Sequence, residues 1–171
     1  HKIMQTHTTE QISEHLSKNL GESFTLNRDA FGVYNLEVPV HQLYRLVLFL
    51  YRDETLGINF LTDLCGVHYP EEKGRELGVV YHLHGMKEGI RLRIKVFVPL
   101  EKPEVPSLTG IYASANWMER ETYDFFGIQF AGHPNLKRIL NMEEMKDFPL
   151  RKEFPLEDPT REDKADFQFG R

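Results

Sequence analysis

Cysteine is nearly absent from this chain of 171 residues, in which Cys65 is the only one. One thiol cannot form an intramolecular disulfide, a cysteine-rich zinc site or an iron–sulfur cluster of its own, which takes about four thiolates. The scarcity of cysteine also excludes a disulfide-stabilised extracellular scaffold. Because Cys65 lies in an apolar, strand-like stretch, we predict a buried and unreactive thiol.

Long apolar runs are also lacking. The longest run, Leu46–Tyr51, has six residues, whereas a membrane-spanning helix needs ~20, so none is predicted. No glycines occur as Gly-x-Gly, and the phosphate-loop lysine motif, Gly-x-Ser-x-Gly and His-Glu-x-x-His are all missing. The motif-bearing classes of nucleotide-binding, hydrolase and zinc-protease site are therefore excluded.

Hydrophobic periodicity predicts an α+β, or α/β-layered, fold: a mostly antiparallel sheet flanked by helices, followed by an extended C-terminal tail. Thr8 and Gln11 form the pattern of a capping box at the first helix. The second helix is apolar nearly all round, so we expect it to be largely buried. The predicted helices cover 9–20, 40–52 and 113–126, the strands cover 32–38 and part of 58–69, an antiparallel hairpin covers 77–83 and 90–98, and a proline-rich connector covers 99–110.

The periodic pattern fails after Asn141. Residues 151–171 hold eleven charged residues and two prolines. So few apolar side chains cannot offset the cost of ordering the backbone, ~1–2 kcal/mol per residue. We predict a globular domain over 1–140 and, over 141–171, an extended tail that binds a partner; a solvated tail is the alternative.

Three charged or polar groups allow other interpretations. Glu119, Glu121 and Asp124 would be solvated or paired on one helix, with Arg120 and Asp124 four residues apart and able to pair. His82 and His84 share a strand face, where they are either ordinary half-buried residues or two ligands of a metal site. The last group, Arg91, Arg93 and Lys95, could bind anions or nucleic acid, but the net charge of −5 disfavours such binding.

The stretch Glu119–Leu140 resembles the signature of the C subunit, or 30 kDa subunit, of proton-pumping NADH:quinone oxidoreductase, respiratory complex I. The signature has Glu-Arg-Glu, an Asp after two residues, two apolar residues, a spacer of six, His, and Lys-Arg before an apolar pair. Every specified position is occupied here. Further stretches that resemble the family are Leu61–Val67, Val80–Leu83, Val105–Ser107 and Pro149–Leu156.

The resemblance implies a scaffold subunit of the peripheral arm with no catalytic residue of its own. It implies hetero-oligomeric contact with the D subunit, which holds the quinone site, and with the cluster-bearing B and I subunits. FMN, iron–sulfur clusters, NADH and quinone would be bound by other subunits, and this chain would bind no cofactor, metal or nucleic acid. Its expected location is the cytoplasmic side of the bacterial inner membrane, attached through the complex. The equivalent subunit of a membrane-bound hydrogenase or of a plastoquinone- or ferredoxin-linked complex remains an alternative.

The signature residues are the candidate functional residues. Gly132 suits a tight turn, and Pro134 restricts His133 to an extended backbone. We expect the set to contact neighbouring subunits, and the alternative is that it stabilises only the fold of this chain. The set comprises Glu119, Arg120, Glu121, Asp124, Gly127, Gly132, His133, Pro134, Lys137, Arg138, Arg151 and Lys152.

Overall fold

A computed structural model describes residues 7–154 of the chain. It contains three helices and seven strands in that range. The elements are α1 (Thr9–Leu20), β1 (Leu26–Arg28), β2 (Tyr34–Glu37), α2 (Val40–Arg52), β3 (Phe60–His68), β4 (Leu77–Gly85), β5 (Ile90–Val98), β6 (Glu104–Pro106), α3 (Ala115–Phe126) and β7 (Gln129–Ala131).

The helices begin and end close to the residues that the sequence indicates. The side chain of Thr8 accepts from the backbone of Gln11, and the Gln11 side chain accepts from the Thr8 backbone, so the predicted capping box is confirmed. Gly21 ends α1 with φ of 72°, a conformation that glycine adopts without strain. Among residues 7–154, no helix is long and apolar enough to cross a bilayer.

Five strands form a mixed sheet in the order β1-β2-β5-β4-β3. The predicted hairpin of β4 and β5 is confirmed, with Tyr81 opposite Ile94, and β3 pairs with β4 in the antiparallel sense. Strand β2 instead runs parallel to β5. A separate pair, β6 and β7, is also parallel. The α+β fold class is therefore confirmed, and its sheet is mostly antiparallel.

The core lies on one face of the sheet. Leu64, Tyr81 and Ile94 occupy one row across β3, β4 and β5 and are almost completely buried. Residues next to that row point to the opposite face, and one neighbouring row, Asp63, His82 and Arg93, is polar. There, Arg93 Nε donates to His82 Nε2 at 2.9 Å, and Arg93 Nη1 donates to Asn35 Oδ1 at 2.9 Å.

Three local predictions were wrong. Helix α2 is amphipathic, because Tyr44 and Tyr51 are 40% and 44% exposed while Leu43 and Leu50 are buried. The proline-rich connector, which we expected to lack regular structure, contains strand β6. Pro106 is tolerated there because the strand is a short edge strand, and proline lacks only an N–H that this position does not need. Cys65 is exposed, because successive side chains of β3 point to alternate faces of the sheet and the preceding Leu64 points to the buried face.

Residues 141–154 have no helix or strand, but they pack on the domain. The N–H of Leu150 donates to the carbonyl of Phe125 at 3.2 Å. The N–H of Lys152 donates to Nδ1 of His68 at 3.0 Å. The boundary predicted at residue 140 therefore does not separate these residues from the domain, and we name 141–154 the strap. The part of the tail prediction that concerns 155–171 lies outside the described residues.

Candidate functional site

Helix α3 and the turns that follow it bring most of the signature residues together. Gly127 ends the helix with φ of 76°, and its N–H donates to the carbonyl of Tyr123. Strand β7 then returns the chain beside β6, and Gly132, with φ of 84°, makes the next turn. The segment that follows runs back past α3, so that residues separated by 14 or more positions contact each other.

Asp124 is the centre of this arrangement and is completely buried. Its carboxylate accepts from Nη1 of Arg138 at 2.7 Å and from Nδ2 of Asn141 at 3.1 Å. It also accepts from the backbone N–H groups of Ile139, Leu140 and Asn141 at 2.8–3.0 Å. Burial acts to raise the pKa of Asp124, but these hydrogen bonds outweigh it and hold the pKa well below its ordinary value.

Arg138 connects the helix to the strap. Its Nη1 also donates to the carbonyl of Asp124, and its Nη2 donates to the carbonyls of Met145 and Asp147 at 2.6 and 2.8 Å. The guanidinium lies 5.0 Å from the ring centroid of Phe148. Only 8% of Arg138 is exposed. The charge is compensated by Asp124, and the other three N–H groups of Nη1 and Nη2 donate to carbonyls.

Arg120 does not pair with Asp124, although the two are four residues apart on α3. Its guanidinium donates to the carbonyls of Lys137 and Arg138 at 3.1 and 3.0 Å. The predicted pairing was wrong because Arg138, from outside the helix, occupies the carboxylate. Arg120 and Asp124 therefore both bind the same returning segment.

His133 fixes the turn before that segment. Its Nδ1 accepts from the N–H of Asn135 at 3.0 Å, so the neutral ring carries its hydrogen on Nε2. Nε2 lies 3.1 Å from the carbonyl of Asn116 and donates to it. The imidazole thus connects the turn to the first turn of α3.

Glu119 is the second completely buried carboxylate of the signature. It accepts from the Ser107 hydroxyl at 2.7 Å and from the N–H of Leu108 at 2.6 Å. Burial raises the pKa of Glu119 to about 7, although both hydrogen bonds act in the opposite direction. The expectation of solvated or ion-paired carboxylates was therefore wrong for Glu119, which has only uncharged donors.

The strap covers the end of α3. Arg151 Nε donates to the carbonyl of Phe126 at 2.8 Å, and its guanidinium lies 4.5 Å from the ring centroid of Phe148. A Cβ atom on Gly127 would lie 2.5 Å from Arg151 and 2.6 Å from Phe148. Glycine is thus required here both by its φ and by the close approach of the strap.

The structure leaves part of the predicted set on the surface. The exposed members are Glu121, Gly132, Pro134, Lys137 and Lys152. The expectation that the signature contacts other subunits stays a prediction and now concerns these residues most directly. Glu119, Arg120, Asp124, His133 and Arg138 make the internal contacts described above.

Several contributors were missed from sequence. Asn141, Phe148 and His68 complete the contacts of Asp124, Arg138 and the strap, but none of them stood out by periodicity. Ser107 ends the stretch Val105–Ser107 that resembles the family, which was a usable signal for the partner of Glu119.

The alternative sites have other uses in the described structure. His82 accepts from Arg93, and residues 7–154 contain no group of three or more His, Cys, Asp or Glu placed to hold a metal ion. Arg93 donates to Asn35 and lies 3.3 Å from Asp29. Of the predicted row of three cations, only Arg91 and Lys95 lack those two contacts.

Comparison with protein families and curated relatives gives consistent matches. A family model described as "Respiratory-chain NADH dehydrogenase, 30 Kd subunit" matches residues 36–160. The chain is 46% identical over 128 residues to the C 2 subunit of the NADH-quinone oxidoreductase of Rhizobium meliloti (strain 1021), covering 74% of this chain and 69% of that protein. It is 39% identical over 145 residues to the NADH-quinone oxidoreductase C subunit of Rhizobium rhizogenes, covering 85% and 72%.

Two solved structures share the fold. The trypsin-resistant fragment (1-134) of Nqo5 superposes with a TM-score of 0.62 and 31% identity, covering 74% of this chain and 98% of the fragment. A chain of the membrane-bound sulfane sulfur reductase, an archaeal respiratory membrane complex, superposes with a TM-score of 0.71. Its 24% identity, over 91% of this chain and 96% of that chain, shows a common fold and no more.

Proposed function

Since this chain belongs to the family of the 30 kDa subunit of respiratory-chain NADH dehydrogenase, we propose that it is a non-catalytic scaffold subunit of a complex I. Such a subunit would support electron transfer from NADH through iron–sulfur clusters to quinone by holding the subunits that bind these groups in fixed positions. The chain itself would bind no FMN, cluster, NADH or quinone.

One observation carries the scaffold role: four charged residues of the signature, Glu119, Arg120, Asp124 and Arg138, make their contacts within the fold. Asp124 and Arg138 pair with each other. Together they also form hydrogen bonds with five backbone groups of the returning segment and the strap. Carboxylates that serve in acid–base catalysis need access to a substrate, whereas Asp124 and Glu119 are both completely buried. Such internal contacts produce a rigid surface, which a scaffold subunit needs.

The proposed partners are the D subunit, with its quinone site, and the cluster-bearing B and I subunits. The exposed signature residues Glu121, Pro134, Lys137 and Lys152 would contact them. Charged side chains at the rim of an interface contribute orientation and specificity more than affinity. The complex would place this chain on the cytoplasmic side of the bacterial inner membrane, and the chain would reach the membrane only through its partners.

The electron donor is a separate question, because a related complex has the same fold. The match to a chain of an archaeal respiratory membrane complex supports, as a second candidate, the equivalent subunit of a related hydrogenase-type or ferredoxin-linked complex. The two candidates differ in the donor and agree on the scaffold role.

The test combines a purified chain with a gene deletion. We expect the pure chain to show neither flavin nor iron absorbance and to leave NADH unoxidised. Membranes of a strain that lacks the gene should lose NADH:quinone oxidoreductase activity, and the wild-type gene should restore it. A redox centre in the pure chain, or unchanged activity in the deletion strain, would contradict the proposal; loss of ferredoxin-dependent activity alone would favour the second candidate.

A further inference from the structure

One end of the five-stranded sheet exposes large apolar side chains. Strand β3 begins with Phe60, which pairs with His84 near the end of β4, and β2 begins where Tyr34 pairs with Leu92 near the start of β5. The turns 29–33 and 86–89 therefore lie at the same end, together with the start of β3; we call this the hairpin end. The exposed fractions of the residues there are 89% for Phe31, 66% for Met86 and 51% for Phe60.

The turn that carries Phe31 is held rigidly. Asp29 Oδ1 accepts from the N–H groups of Phe31 and Val33 at 2.9 and 3.0 Å, and its other carboxylate oxygen lies 3.3 Å from Nη1 of Arg93. Gly32 provides the positive φ of 79°. The exposed ring is thus presented by an ordered turn, which lowers the entropy lost when such a side chain is buried at an interface.

A cavity of about 330 Å³ opens at the same end, lined in part by Val33, Thr62, Asp63, His84 and Arg91. His82 also lines it, and its Nε2 accepts from Arg93, so the neutral ring carries its hydrogen on Nδ1. That Nδ1 is buried within the chain and has no hydrogen-bond partner among the described residues, whereas Arg91 is exposed and can be reached by a partner. The Asp63 carboxylate is 3.8 Å away, beyond hydrogen-bond distance.

We propose that the hairpin end is a docking surface for a partner subunit that places an Asp or Glu side chain in this cavity. The carboxylate would pair with the exposed Arg91, while Phe31 and Met86 bury their side chains against apolar groups of the partner. This inference rests on the proposed function, since it assigns a surface to one of the contacts that a scaffold subunit must make.

Charge selects a different protein over a second copy of this chain. Arg28, Lys87 and Arg91 are exposed at the hairpin end and outnumber Asp63, the exposed carboxylate of the cavity, so two copies joined by this surface would bring together surfaces with an excess of positive charge. A partner with carboxylates around an apolar patch instead compensates these cations. Large aromatic side chains at the centre of such an interface contribute most of the affinity.

The experiment measures binding of the full-length chain to a purified subcomplex of the D, B and I subunits from the same genome. We expect Phe31→Ser to raise the dissociation constant at least about tenfold. Leu100→Ser is the matched control, because Leu100 is 40% exposed at the opposite end of the sheet. Arg91→Glu should also weaken binding, and Lys73→Glu, on the exposed loop at that opposite end, should not. Unchanged thermal unfolding shows that each variant is folded.

The outcomes separate the two proposals. If the wild-type chain does not bind the subcomplex, both the proposed function and the docking surface are overturned. If the wild-type chain binds and Phe31→Ser binds equally well, or if Leu100→Ser weakens binding as much, the docking surface alone is overturned. A wild-type dimer in solution that Phe31→Ser abolishes would assign the surface to a second copy and also contradict the inference.

Discussion

Replacing the buried Glu119 by Gln should change how the stability of this protein depends on pH. The pKa of Glu119 lies at about 7 in the folded chain against an ordinary value of 4.5. Between these two values the folded state keeps a proton that the unfolded state has released. The free energy of unfolding should therefore fall as pH rises through this window, and become independent of Glu119 above about pH 7.

The magnitude follows from the two pKa values. At 1.36 kcal/mol per pH unit, the full window from 4.5 to about 7 corresponds to about 3 kcal/mol. Glu119 is completely buried, so screening by solvent does not reduce this figure strongly. Asp124 has its pKa lowered, and its contribution changes only below its ordinary value of 3.8, so it stays constant above pH 5.

Urea denaturation followed by far-UV circular dichroism at several pH values from 5 to 8 measures the effect. We expect the stability of Glu119→Gln relative to wild type to rise by about 2–3 kcal/mol between pH 5 and pH 7.5. The control is Glu121→Gln on the exposed side of the same helix, which keeps the buried Glu119 and should therefore keep the fall in stability assigned to Glu119. A constant difference between Glu119→Gln and wild type over this range would refute the reasoning about burial.

Three further predictions concern the contacts around the end of α3. Asp124→Asn leaves the buried Arg138 without its counter-charge and should lower the free energy of unfolding by about 3–5 kcal/mol, measured in urea at pH 7. The wild type should lose that contribution as pH falls below 3.8, because folding lowers the pKa of Asp124, and the variant should not. Gly127→Ala should lower the melting temperature more than Gly132→Ala does, since both have positive φ but only Gly127 lacks room for a Cβ; equal losses would show that the strap does not confine Gly127. Phe148→Ala removes the ring that the guanidinium groups of Arg138 and Arg151 both contact and should speed trypsin cleavage in the strap, as measured by mass spectrometry of the fragments.

Local sequence patterns were sufficient for the helices and the hairpin. The capping box at Thr8, the glycine after Leu20 and the alternation along β5 each act within one element, so their consequences do not depend on the rest of the chain. The signature pattern identified the family because it specifies residue types at fixed spacing, and that identification is shown by the comparisons.

Tertiary structure alone decided what the signature residues contact. Sequence spacing favoured pairing of Arg120 with Asp124, but Arg138 competes for the same carboxylate from a segment that only the folded chain brings back to α3. The burial of Glu119, the parallel pairing of β6 with β7 and the packing of the strap have the same origin. Each depends on contacts between residues far apart in sequence, and a local pattern of side chains carries no information about which distant group will arrive.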